Sequence, residues 1–156
     1  HRVDRRQRQM CIRDRFSREE SKKIREDFWI FFGKRYQRKW LLYDTKVKEI
    51  NLKFSFDNDK AMVSFDIETY DQVFREYYFE KFESLKNLLK AEVSEDILFE
   101  KEYIRSSGKV ISRVYVERLN VNIHNKKHWP EVFEFFHDNM EKFELFWWEY
   151  QDFITS

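Results

Sequence analysis

Apolar and polar residues alternate so regularly in one stretch that a β-hairpin can be placed to the residue. Ile50, Leu52, Phe54 and Phe56 interleave with Asn51, Lys53 and Ser55. Beyond Asp57-Asn58-Asp59-Lys60, the residues Ala61, Val63, Phe65 and Ile67 repeat the pattern. A period of two is that of a half-buried strand. A two-residue turn at Asn58-Asp59 predicts Phe56 opposite Ala61, Phe54 opposite Val63 and Leu52 opposite Phe65. A slip of one residue would break this match at every position. Lys53 and Ser64 are then expected on the far side, facing solvent or a partner.

The helical stretches follow a different period. Ser17-Arg18-Glu19-Glu20 is a capping-box pattern, and Ile24, Phe28, Phe31 and Phe32 recur behind it at helical spacing, with Gly33 as the expected stop. A second helix is predicted from a cap at Asp71 to about Val93, along Phe74, Tyr78, Phe82, Leu85 and Leu89. A second hairpin, Phe99 to Arg105 and Val110 to Arg118, flanks a turn at Ser106-Ser107-Gly108. Pairing about Ser107-Gly108 sets Phe99 near Val116 and Glu102 opposite Arg113. The last helix opens at Trp129-Pro130, with proline suited to a first helical position. It continues along Val132, Phe133, Phe136, Met140, Phe143, Phe146, Trp147 and Tyr150. The αββαββα order predicts an α+β fold, with two β-hairpins in a mainly antiparallel four-stranded sheet and three helices largely on one face.

Composition narrows the class. A chain of 156 residues, 42% apolar and 38% charged, has the size and balance of one globular unit. The longest strongly apolar run, Phe28 to Phe32, is far too short for a bilayer, so no membrane partner is expected. The absence of an apolar leader and the single cysteine fit a cytoplasmic setting.

The first fifteen residues change the charge picture. HRVDRRQRQMCIRDR holds almost no core-forming residues, and RRQRQMCIRDR resembles translated sequencing-adapter read-through from metagenome-derived frames. The segment is therefore expected to be a non-native or disordered extension, with residues 16–156 as a single α+β domain. The competing assignment is a natural basic arm. Six Arg and two Asp give the segment +4, which leaves −3 of the whole-chain +1 for the rest. Overall basicity thus says nothing about partners, and Cys11 carries no redox or metal argument.

Four blocks carry a family resemblance: Asp27-Phe28-Trp29, Arg38-Lys39-Trp40, Ile111-Ser112-Arg113-Val114 and His128-Trp129-Pro130-Glu131. By these blocks and their spacing, Ser17 to Ile154 resembles the domain of unknown function 4268 family. The resemblance implies an accessory module in a nucleic-acid-processing or restriction and defence context, because some relatives carry a similar domain behind a nuclease-like region. It brings no catalytic residues.

Candidate chemistry is sparse. A nuclease site of paired carboxylates and lysine would need a Pro-Asp half, and the only proline is Pro130. Asp44-Thr45-Lys46 matches the remaining triplet by spelling alone, and Asp66 and Glu68 are expected on the solvent face of the first hairpin. Of His124, His128 and His137, the spacing from His128 to His137 matches no known short zinc-ligand motif and no cysteine helps, the two glycines are isolated, and Ser106, Ser107 and Ser112 have no legible His-Asp partners. No catalytic residue, metal or cofactor is expected. Lys34, Arg35, Arg38, Lys39 and Trp40 form the best nucleic-acid-binding candidate, since cations neutralise phosphates while a ring stacks on a base. The alternative makes Trp40 and Tyr43 core residues and the cations a solvated loop. Phe135, Leu145 and Trp148 lie off the main stripe of the last helix as an interaction-patch candidate, against a helix packed on two sides. The expected function is a non-enzymatic accessory domain in a nucleic-acid-processing or restriction and defence context, with nucleic acid as a candidate partner. A protein-interaction or homodimerisation module comes second, and an uncharacterised enzyme third.

Overall fold

The computed structural model describes residues 16–156; the expectations for the first fifteen residues lie outside them. Helix α1 (Arg18–Arg35) starts on the capping pattern, with the Glu20 amide donating to Ser17 Oγ at 3.1 Å and that hydroxyl donating to the Glu20 carboxylate at 3.2 Å. Then come β1 (Ile50–Phe56), β2 (Lys60–Ile67), α2 (Gln72–Ser84), α3 (Lys86–Glu92), β3 (Leu98–Ile104) and β4 (Val110–Leu119). A single 3-10 turn (Lys126–His128) leads into α4 (Trp129–Thr155). The fold is α+β, with one four-stranded sheet in the order β1-β2-β4-β3 and every neighbouring pair antiparallel. No described helix is long and apolar enough to cross a membrane.

The first hairpin has the expected register: Phe56 pairs with Ala61, Phe54 with Val63 and Leu52 with Phe65. Its turn is held by Asp57, whose carboxylate accepts from the amides of Asp59 at 2.8 Å and Lys60 at 2.9 Å. These strand residues and their β4 neighbours Val114 and Val116 form one core with Phe28 and Phe32 of α1, Phe79 and Phe82 of α2, Leu89 of α3, and Phe136, Phe143 and Trp147 of α4. The helices therefore pack on one face of the sheet. Aromatic contacts dominate that layer: Phe65 stacks on Phe143 at 4.8 Å, and Phe28 meets Phe56 at 4.9 Å and Trp129 at 5.3 Å. Each such ring adds geometric preference to a large buried area.

Four local expectations are corrected. Helix α1 passes through Gly33 and ends two residues later, where the Tyr36 amide donates to Phe32 O at 3.1 Å. Packing of Phe32 and Tyr36 at 5.4 Å outweighs the stop signal. The predicted second helix is two, because the chain kinks at Leu85 (φ −95°, ψ 14°). Its core stripe runs through Arg75, Phe79 and Phe82, while Phe74 is 56% exposed. In the second hairpin Phe99 pairs with Val114 and Glu100 with Arg113. The turn is longer than assumed, with Gly108 at φ 88°, and the register shifts again between Glu100 and Tyr103. Such a bulge bends a strand and steepens its twist.

Two substitutions test this core assignment. Phe65→Ala, at a position with no exposure, should cost about 3–5 kcal/mol in urea unfolding. Phe74→Ala should stay within about 0.5 kcal/mol. Equal losses would mean that α2 presents a different face.

Candidate anion site on the helix-free face of the sheet

The second face of the sheet carries polar and charged residues. Met62, Ser64, Asp66, Ile111, Arg113 and Tyr115 point there, and each is no more than 5% exposed. None of the apolar residues among them joins the helix-packed core. The expectation that Ser64 and Asp66 face solvent is thereby corrected. Their cover comes from the second hairpin. The Tyr103 ring lies 4.2 Å from the Arg113 guanidinium, and Arg105 reaches across to Asp66 at 3.1 Å and to Glu68.

Asp66 is the hub of this face. Its Oδ1 accepts from Arg113 Nε and Ser64 Oγ, at 2.8 and 2.7 Å. Its Oδ2 accepts from Arg113 Nη2 at 2.8 Å and Arg105 Nη2 at 3.1 Å. Burial alone would push this carboxyl upward. The two-point bond and charge of Arg113, helped by Ser64 and Arg105, overcome burial and hold it below the usual carboxylate range. Arg113 Nη1 also donates to Met62 Sδ at 3.3 Å. Beside the hub, the Tyr115 hydroxyl donates to Glu100 at 2.7 Å; burial and that carboxylate both push its ionisation upward. At the rim Lys109 Nζ donates to Glu68 at 2.9 Å.

Between the hub and the hairpin tip lies a trench of about 280 Å3. Its cationic lining is Lys53, Lys60, Arg105 and Arg113, against one carboxylate, Asp57, with the hydroxyls of Ser55, Ser106 and Ser107 between them. Three of the four cations are matched by carboxylates behind or beside the wall: Arg113 by Asp66, Arg105 by Asp66 and Glu68, and Lys60 by Glu117 at 3.4 Å. Lys53 has no acceptor or ion-pair partner among the described residues. Burial lowers its ammonium below the ordinary lysine range, and the charges of Arg105 and Arg113 act in the same direction. Arg105 Nε is also buried without a hydrogen-bond partner. The trench is a cation-lined recess with one unmatched ammonium, an arrangement suited to an oxyanion.

The basic loop predicted as the nucleic-acid site is built differently. Lys34 and Arg35 lie in the last turn of α1, and Lys39 is exposed. Arg38 bonds the buried carboxylate of Glu144 on α4 and stacks 4.0 Å over the Trp40 ring. Glu144 also accepts from the Leu41 amide at 2.5 Å. Trp40 packs on Phe32 and Phe54, and Tyr36 stacks on His137 at 4.4 Å. Arg38 and Trp40 thus clasp the loop to α4, leaving Lys34, Arg35 and Lys39 as its solvated cations.

On α4, Leu145 and Trp148 are 67% and 58% exposed, whereas Phe135 is partly buried against the core and does not join them. The histidines are separate and locally engaged. His124 Nε2 meets Ser21 Oγ at 2.6 Å, His128 Nδ1 accepts from the Asn122 amide at 3.0 Å, and His137 lies on Tyr36. His137, Asp138 and Glu141 share one exposed turn of α4, where Arg38 approaches Glu141 at 3.9 Å. Asp44-Thr45-Lys46 is a tight turn, with Lys46 at φ 68° and the Thr45 hydroxyl donating to Ile50 O at 2.6 Å.

The fold and its sites define an α+β domain with one sheet face sealed by aromatic helices and the other carrying a charged recess. A family model described as "Domain of unknown function (DUF4268)" matches residues 24–151, and the chain belongs to that family. No curated protein and no solved structure matches it.

The ion pair predicts an acid response. Asp66 ionises at a lower pH folded than unfolded, so its contribution is complete above about pH 4 and is lost as pH falls through the folded value. Asp66→Asn strands part of Arg113 and should cost about 3–5 kcal/mol at pH 7. Asp66→Leu with Arg113→Met should cost much less and lose stability less steeply below pH 4. Urea midpoints from pH 2 to 7 check both statements. Superimposable acid limbs would remove Asp66 as a source of acid sensitivity.

Proposed function

We propose that this domain is a non-enzymatic accessory module that engages nucleic-acid phosphate on the helix-free face of its sheet. The observation carrying this reading is the trench, where cations outnumber carboxylates and the Lys53 ammonium is unmatched. Antiparallel sheets with helices on one side offer the other side to single strands, whose backbone follows cationic grooves and whose bases stack on rings. Tyr103 lines the trench and supplies such a ring. The family resemblance supports the same setting, through relatives that carry a nuclease-like region. A second reading, docking of a protein partner or a second copy on α4, has the exposed Leu145 and Trp148 in its favour.

The test uses the full chain and fluorescent oligonucleotides, titrated between about 50 and 200 mM salt. Lys53→Glu with Lys60→Glu should weaken single-strand binding and flatten the salt slope by about 0.7, the share of one phosphate contact. Arg35→Glu with Lys39→Glu should leave the slope nearly unchanged. The N-terminal arginines are common to all variants and cancel from the comparison. An effect confined to the Arg35 and Lys39 pair would return the site to the basic loop. No binding at about 50 mM salt would remove nucleic acid and favour docking on α4.

A further inference from the structure

We infer that the trench is a subsite for one phosphate group, with Lys53 as its principal cation and Arg105, Ser55, Ser106 and Ser107 as the surrounding donors. The inference rests on the reading of this face as phosphate-binding and names what the recess accepts. Three observations carry it. First, the cationic lining is only partly neutralised: Asp66 and Glu68 take the charges of Arg113 and Arg105, and nothing described takes that of Lys53. A half-buried ammonium repelled by two guanidiniums gains from an anion more than an exposed lysine would. Second, the hydroxyls of Ser55, Ser106 and Ser107 line the same recess as the Lys53 ammonium.

Third, the recess is small. About 280 Å3 lies just below the usual range of small-molecule sites. The hairpin tip, Tyr103 to Ser107, forms one wall of it. That space suits a phosphate with part of its ester, and no duplex could enter. Phosphate fits better than a carboxylate because the donors come from several directions: an ammonium from β1, a guanidinium and two hydroxyls from the hairpin tip, and a hydroxyl from β1. A carboxylate has two oxygens in one plane, while free phosphate or a terminal phosphate monoester offers at least three acceptors in a tetrahedral array. The same chemistry is found on a strand end and on free phosphate, so the experiment separates them.

The full chain is titrated with sodium phosphate against sodium chloride at matched ionic strength, following thermal midpoint. The same chain is then titrated with 5′-phosphorylated and unphosphorylated oligonucleotides. Phosphate should give a saturable rise that chloride does not. Lys53→Met should weaken phosphate about tenfold or more, Lys53→Arg should restore much of it, and Lys39→Met should change nothing. Lys53→Met without phosphate should melt close to the parent chain, which separates loss of binding from loss of fold. Equal rises in phosphate and chloride, or a Lys53→Met chain that responds like the parent, would overturn the inference. Lys53-dependent phosphate binding with no oligonucleotide binding would keep the trench and sink the nucleic-acid function. Oligonucleotide binding untouched by Lys53→Met would do the reverse.

Discussion

Asp66 and Arg113 are opposite charges facing each other across β2 and β4, and both are almost wholly buried. Burying either alone would cost several kcal/mol, so the rest of this face is arranged around keeping them together and out of water. All the helices lie on the other side. The cover has to come from the sheet itself, and Tyr103 and Arg105 of the second hairpin supply it. Tyr103 then lies over the Arg113 guanidinium and Arg105 closes on Asp66 from above. The trench is what remains beside that closure, lined by cations of which Lys53 alone has no ion-pair partner among the described residues. The unmatched ammonium of Lys53 is therefore a consequence of how the pair is enclosed.

The same logic reverses the weight of the basic loop. A run of cations and a tryptophan suggests nucleic acid when nothing else is known. In the fold, Glu144 of α4 is a buried carboxylate that needs donors, and Arg38 and the Leu41 amide provide them. Trp40 closes the clasp by packing on Phe32 and Phe54 while receiving Arg38 on its face. The family block Arg38-Lys39-Trp40 therefore has a structural task in which Arg38 and Trp40 take part and Lys39 does not. Glu144 was hidden at the sequence level because it sits among aromatic residues of a long helix and reads as one solvated charge among many.

Legibility followed locality. The first hairpin could be placed to the residue because a short turn fixes register and every apolar side chain finds an apolar partner. The second could not, because its register depends on Gly108 at positive φ and on a bulge that answers to distant groups: Arg75 of α2 donates to the bulged Lys101 carbonyl at 2.5 Å. The break at Leu85 and the passage of α1 through Gly33 were likewise set by packing. The trench was missed for the same reason. Lys53, Asp66 and Arg113 read as the polar side of amphipathic strands, and their burial needs the hairpin tip that no periodicity reveals. One signal was available: Arg113 stands among Ile111, Val114, Tyr115 and Val116, a strand apolar on both faces. A lone charge in such a strand demands a partner, and Asp66 in an equally apolar strand was the candidate.

The most direct measurement is the side-chain titration of Lys53 by NMR in the full chain, with assignment by Lys53→Arg. The groups acting on it are Arg105 and Arg113, which lower its ionisation as burial does, and Asp66 and Glu68, which oppose them. The account predicts a midpoint below the ordinary lysine value near 10.4, moving upward when phosphate is added and staying put in chloride of equal ionic strength. An ordinary midpoint that phosphate does not move would show that the trench is open to water and holds no anion.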